Sequence, residues 1–288
     1  MLVSGDMQGG PEGARAALDA YWARVAEAAK FSPFQRSPID RLLNRWTLDT
    51  SPAYVVMDLL SRVVSPYSLN PFGHNPIYAI LSESIDFAHL CDASIKLFIT
   101  ATNVHTGCGR VFRNKEITPD VLLASACLPT LFQAIEIDGE PYWDGGYAGN
   151  PTITPLVRES DAHDTILVQI NPREHRDTPR TASEILNRLG EISFNAPLMK
   201  ELRMIALLRQ AADPGKGEGA RWAEMRTHRI MSDRLAEFGA SSKLNAECAF
   251  LIMLKAEGRR RAGEFLAEHG DNIGQQSTTD IDVLLSEA

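Results

Sequence analysis

The stretch that decides the fold is 121-VLLASACLPTLFQAIEIDGEPYWDGGYAGNPTITPL-156. Just ahead of it, Thr118-Pro119 places a capping hydroxyl before a proline at the first helical position, so a short helix starts there and Pro129 closes it. Two brief strand-like runs follow, Phe132 to Ile137 and Pro141 to Trp143. Asp138-Gly139 between them is a hairpin signal, because both turn residues must accept positive φ. The second run ends in Asp144-Gly145-Gly146. A carboxylate at a strand end, followed by two residues without a β-carbon, sits on open backbone that a substrate or another segment can approach.

Outward from this centre the chain reads as mixed helix and strand. Before it, Glu12 to Lys30 carries Ala14, Ala17, Leu18, Tyr21, Trp22 and Val25 at helical spacing, after a Gly9-Gly10-Pro11 start. Ser51-Pro52 caps a second helix whose Val55, Val56, Leu59, Leu60 and Val63 are expected to face a core, and Asn75-Pro76 starts a third with Ile77, Ile80 and Leu81. Lys96 to Thr102 is a β-rich apolar strand, with Arg110 to Phe112 pairing back. After the centre, Thr165 to Ile170 is the last strong strand. The remainder reads as helical. Thr181-x-x-Glu184 is a capping box, and the stripe Ile185, Leu189, Ile192 runs past Pro197 to Leu202, Ile205 and Leu208. Packing on the sheet is the expected use of this stripe, with a lipid-facing role as the alternative. Asp213 to Gly219 reads as a linker, the region around Trp222 as irregular, Ser242 to Glu257 as a helix stopped by Gly258, Arg259 to His269 as another, and the end from Gln275 as frayed.

Composition bounds the function. Of the 288 residues, 44% are hydrophobic and 23% charged, as in a globular protein. A net charge of -8 disfavours non-specific nucleic-acid binding. Cys91, Cys108, Cys127 and Cys248 are scattered, which fits reduced thiols of a cytoplasmic protein. No apolar run reaches the roughly 18 residues of a membrane span, and the first ten residues show no signal-peptide pattern.

The order of a small-residue helix (Ala124-Ser-Ala-Cys-Leu-Pro129), a hairpin, Trp143-Asp-Gly-Gly-Tyr147, Asn150-Pro151 and Pro155-Leu156 resembles the catalytic segment of patatin-like phospholipases. The likeness runs from about residue 9 to about 175. It implies an α/β class with a three-layer α/β/α patatin-like fold over 1–180, followed by a helical C-terminal extension over 181–288. It also implies a lipid or ester substrate, peripheral contact with a membrane, and hydrolysis by a Ser-Asp dyad that needs no histidine, metal or cofactor. Carried over by motif position, the dyad's acid is Asp144, supported by Gly145 and Gly146.

The nucleophile's signature is missing. A Gly-x-Ser-x-Gly elbow must hold the serine on a strained strand-to-helix turn, and a glycine-rich loop must supply oxyanion donors. No serine in the sequence has glycines at both positions; Ser241 comes nearest, with Gly239 before it but Lys243 after it. Gly9-Gly10 precede Pro11, which has no N–H to donate. By the family's order, Met1 is expected to fall inside the helix that follows the elbow. The fold therefore lacks its first strands, exposed apolar helix faces are expected, and the chain is expected to be inactive. A non-catalytic lipid- or partner-binding relative is the alternative. Two further candidates stand beside Asp144. His175 and Asp177 could supply a Ser-His-Asp base, and His105 with Cys108 are two metal ligands without a third. The loop Leu69 to His74 resembles a segment near the family's acyl-binding side, with a simple inter-helix connection as the equal alternative. Oligomeric state is not legible.

Overall fold

In the computed structural model, which describes residues 1–171, 178–210 and 217–283, the expected hairpin is present. Strands β3 (Ile135–Ile137) and β4 (Glu140–Asp144) pair antiparallel, and Asp138 and Gly139 take φ of 55° and 80° between them. Those angles match the right-handed twist of the flanking strands, which is why Asp-Gly is used here.

The chain divides into two units. The first comprises Met1–Ala148 and Phe238–Met253. Its helices are α1 (Leu2–Ala29), α2 (Pro38–Leu42), α3 (Pro52–Ser61), α4 (Pro66–Leu69), α5 (Pro76–Ser84), α6 (Phe87–Leu90) and α7 (Pro119–Ala124). Strands β1 (Phe98–Asn103) and β2 (Gly109–Arg113) complete an antiparallel sheet in the order β2-β1-β4-β3. Pairing of Ala101 with Asp144 joins the two hairpins.

Helix α7 starts where expected, Thr118 Oγ1 accepting from the Val121 N–H. It then divides its faces. Val121 and Ala124 pack with Ala101, Phe112 and Tyr142 of the sheet, while Leu123 joins Leu81, Ile85, Leu90 and Ile117 among the helices. Helix α1 begins earlier than Gly9-Gly10-Pro11 suggested, at Leu2, and leaves helical geometry at Gly9 and Gly10. The start of α11 (Cys248–His269), through Met253, also belongs to this unit. Arg36 clamps Glu247 through both carboxylate oxygens and stacks 4.1 Å over Trp46, which in turn stacks on Phe250.

One expectation fails in this unit. Val55, Val56, Leu59, Leu60 and Val63 do not face a core; all five are exposed, Val63 at 82%. The unit's apolar clusters gather around α5, α7 and β1, and no residue of α3 enters them.

The second unit comprises Gly149–Glu237 and Leu254–Ala288. It holds α8 (Thr154–Glu159), β5 (Asp164–Gln169), α9 (Ala182–Gln210), α10 (Glu218–Glu224) and β6 (Arg226–Met231). Strands β5 and β6 pair in parallel. The core is built from Ile153, Val157, Leu198, Ile205, Trp222 and Ile281.

The mixed α/β class is therefore as expected, with a mainly helical C-terminal region. Local corrections are four. The region around Trp222 is not irregular: Trp222 lies in α10, and β6 follows from Arg226. The apolar residues of α9 split, with Leu198 and Ile205 buried but Ile185, Leu189 and Ile192 exposed, so the front half does not pack on a sheet. Gly258 does not stop a helix; α11 runs through it, since one glycine costs only about 1 kcal/mol against alanine. Residues 275–283 are docked rather than frayed: the N–H groups of Thr278 and Thr279 both reach the Thr227 carbonyl at 3.1 Å, and Ile281 is 1% exposed. His175, Asp177 and most of the Asp213–Gly219 linker lie outside the described residues.

Candidate active site

Asp144 ends β4 at the middle of the four-stranded sheet, and three neighbouring segments hold it, two by its backbone and one by its side chain. Its N–H donates to the Cys127 carbonyl at 2.9 Å, its carbonyl accepts from Thr102 Oγ1 at 2.8 Å, and its Oδ1 accepts from the Gly146 N–H at 2.7 Å. That last bond caps a short 3-10 turn over Gly145–Tyr147. Gly145 is required by closeness rather than by φ. A Cβ there would lie 2.0 Å from the Thr100 carbonyl oxygen, so no side chain fits between β1 and the turn.

The carboxylate is half-buried. Burial pushes its pKa above the ordinary value of 3.8, and the Gly146 N–H partly opposes this. Among the described residues, no cation pairs with it and no hydroxyl or thiol is hydrogen-bonded to it. Its two titratable neighbours respond to the same surroundings. The Cys127 thiol is pushed up to about 11, mainly by burial and then by the charge of Asp144. Burial likewise raises Tyr147, again with help from Asp144. A thiol held that high is protonated near neutrality and is a poor nucleophile. The arrangement offers an unpaired, partly desolvated carboxylate beside glycine backbone, a group suited to accept a proton from a hydroxyl brought against it.

The other candidates resolve differently. Ser241 is 1% exposed, shares a 2.8 Å hydrogen bond with Thr47 Oγ1 and accepts from the Leu48 N–H at 3.0 Å. It is a structural pin, not a nucleophile. His105 Nδ1 lies 2.9 Å from Glu140 Oε2 on the surface, and no cluster of three potential metal ligands exists among the described residues. No helix among them is long and apolar enough to cross a membrane.

In the second unit the structure assembles a constellation that sequence reasoning missed. Asp164, at the start of β5, receives Arg226 through both oxygens at 3.0 and 2.7 Å, His228 Nε2 at 3.0 Å and the Gly274 N–H at 2.9 Å. His228 Nδ1 reaches Thr278 Oγ1 at 3.0 Å. Hydrogen bonding from Arg226 holds the Asp164 carboxyl far below the usual range. Carboxylate, imidazole and hydroxyl stand in a row as in a hydrolase relay, but the imidazole is completely buried and ends against the docked chain terminus. This is a lock for that terminus. The signal for it was the alternation in 226-RTHRIM-231, obscured by its charges.

Residues 11–157, just over half of the chain, match the family described as patatin-like phospholipase. No curated protein matches the chain.

Proposed function

The chain belongs to the patatin-like phospholipase family, whose members are lipid acyl hydrolases, and on that premise we propose that Asp144 is the general base of a Ser-Asp pair acting on a lipid or ester. In that chemistry a serine Oγ–H gives its proton to the Asp144 carboxylate as the oxygen attacks the ester carbonyl carbon. The tetrahedral intermediate then expels the alcohol, which leaves with the proton. Asp144 next takes a proton from water as its oxygen attacks the acyl-serine ester, then returns that proton to the serine Oγ as the acyl–oxygen bond breaks and the acid is released. No metal or cofactor takes part. Gly145 lets the turn lie against β1 and Gly146 gives its N–H to the carboxylate, and the machinery belongs to a patatin-like domain over 1–180 with 181–288 as its helical extension. The setting is cytoplasmic, with peripheral contact at a membrane.

The observation that carries this reading is the half-buried carboxylate at the Asp-Gly-Gly turn, with no cation upon it among the described residues. The 288 residues contain no Gly-x-Ser-x-Gly, so we propose that they supply the base but not the nucleophile. Loss of a serine nucleophile costs on the order of a millionfold in kcat. The same gap favours the second reading, a non-catalytic lipid- or partner-binding relative.

The test is an assay on p-nitrophenyl esters. The chain itself is expected to show no turnover. A chimera bearing a family member's elbow and glycine loop ahead of Met1, with a native circular dichroism spectrum, is expected to be active and to lose about three powers of ten in kcat with Asp144→Asn. Equal rates for the two chimeras would sink the role of Asp144. Turnover by the 288-residue chain would reveal a nucleophile of another kind.

A further inference from the structure

We propose that β5 is an interface strand, the edge along which a second copy of this chain pairs antiparallel, so that two β5-β6 ribbons join into one four-stranded sheet. Among the described residues the sheet of the second unit has only two strands, in the order β5-β6. Their register runs without interruption from Asp164 with Arg226 to Gln169 with Met231, and it occupies one edge of β5. Apart from that pairing, no backbone group of Thr165 to Gln169 bonds to another segment among the described residues. A row of open N–H and C=O groups is a template for another strand, and natural edges are commonly blunted by lysine, proline or a bulge. Residues 165–170, TILVQI, contain no lysine, no proline and no charge.

The strand is also apolar on both sides. Leu167 turns inward and packs on the core of the unit. Ile166 and Val168 alternate with it and are 44% and 65% exposed, and Ile170, just beyond the strand, is 68% exposed. Apolar residues on both faces are the pattern of an interior strand of a parallel sheet, covered on each side. At an edge, half of that pattern is left in water.

Symmetry selects the occupant. Two copies of one edge related by a twofold axis perpendicular to the sheet run antiparallel, and residues facing each other lie on the same side of the sheet. A pairing centred on Val168 meets that condition. Val168 then lies opposite the partner's Val168, and Ile166 lies opposite the partner's Ile170. The apolar side chains that each copy leaves in water close into one stripe on one face. Thr165 to Asn171, the paired stretch, contains no charged residue, so no like charges meet. A strand of another protein would satisfy the hydrogen bonds, but this edge already carries its own complement. The proposal uses neither Asp144 nor the hydrolase reading.

The test is sedimentation velocity of the full chain from about 1 to 100 μM, a range suited to a small interface, with amide hydrogen exchange at both ends of it. The wild-type chain is expected to pass from monomer to dimer, and exchange over 165–170 is expected to slow in the dimer. Val168→Lys places a charge on the exposed side and leaves the pairing with β6 intact. It is expected to weaken dimerisation tenfold or more while keeping the native circular dichroism spectrum. With the exposed Cys108 and Cys248 changed to serine, Val168→Cys is expected to form a disulfide dimer on mild oxidation. Directly opposed strand residues have Cα atoms about 4.5–5.5 Å apart, within reach of that bond. Ile166→Cys in the same background is expected not to cross-link, because its twin lies roughly 13 Å further along the strand. Val56→Asp with Leu59→Asp on α3, and Asp144→Asn, are expected to dimerise as wild type. A chain that stays monomeric at the highest concentration, a dimer untouched by Val168→Lys, or one dissociated by the α3 variant would overturn the proposal. So would cross-linking through Ile166→Cys in place of Val168→Cys, or open-ended assembly, since a twofold contact closes at two copies.

Discussion

Asp144 and Asp164 sit at strand ends in different units and use the same carboxylate in opposite ways. Asp164 is saturated: a bidentate guanidinium, an imidazole and a backbone N–H converge on two oxygens, and its pKa falls. Asp144 receives one backbone N–H, is partly desolvated, and its pKa rises. A carboxylate that folding has neutralised holds structure together. One that folding has partly dehydrated and left unpaired raises the free energy of its own charged form, which a fold tolerates where that charge has other work.

The sharpest way to break this contrast is Asp164→Ala, which leaves Arg226 and His228 facing an empty position. A loss of about 3 kcal/mol is expected, at the low end for a buried pair because Asp164 keeps some solvent contact, with amide exchange accelerating over β6. Gly145→Ala comes next. Its Cβ must displace the Thr100 carbonyl, so β1 and β4 are forced apart at a cost of about 2–3 kcal/mol, read as a lowered denaturation midpoint. Asp144→Asn is the smallest. Asparagine keeps the acceptor for the Gly146 N–H and discards the disfavoured charge, so stability near neutral pH is expected to change by no more than about 0.5 kcal/mol, towards greater stability.

The two aspartates also predict opposite pH slopes. The Asp164 pKa is depressed by folding, so its contribution is present above the unfolded value of about 3.9 and is lost as pH falls towards the folded value. The Asp144 pKa is raised, so its contribution is complete below the unfolded value and disappears as pH rises through the folded one. Denaturation of Asp164→Ala and Asp144→Asn across the acid range should therefore remove slopes of opposite sign. In an active chimera, the acid limb of kcat/KM is expected above the ordinary carboxylate range; a limb near 3.8 would detach Asp144 from the chemistry.

What was legible in the sequence was local. Thr118-Pro119 and Asp138-Gly139 dictate their own backbone within four residues, so α7 and the hairpin carrying Asp144 could be read directly. The need for Gly145 could not, because it arises from the Thr100 carbonyl, some forty-five residues earlier in sequence. Strand β6 was hidden because its partner β5 lies across α9 and its alternation carries two arginines and a histidine. The stripe on α3 was visible as a stripe, but spacing at i, i+4 says only that a helix has an apolar side, not what meets it. The same limit applied to the front half of α9.

The clamp of Arg36 on Glu247 bears on the order of synthesis. Trp46, Leu48 and Arg36 leave the ribosome early, yet the side chains that cover them, Phe250, Ser241 and Glu247, emerge some two hundred residues later. The first unit cannot close until nearly the whole polypeptide exists, so a nascent chain halted after Glu237 is expected to remain protease-sensitive around Trp46, whereas one extended past Met253 becomes resistant there.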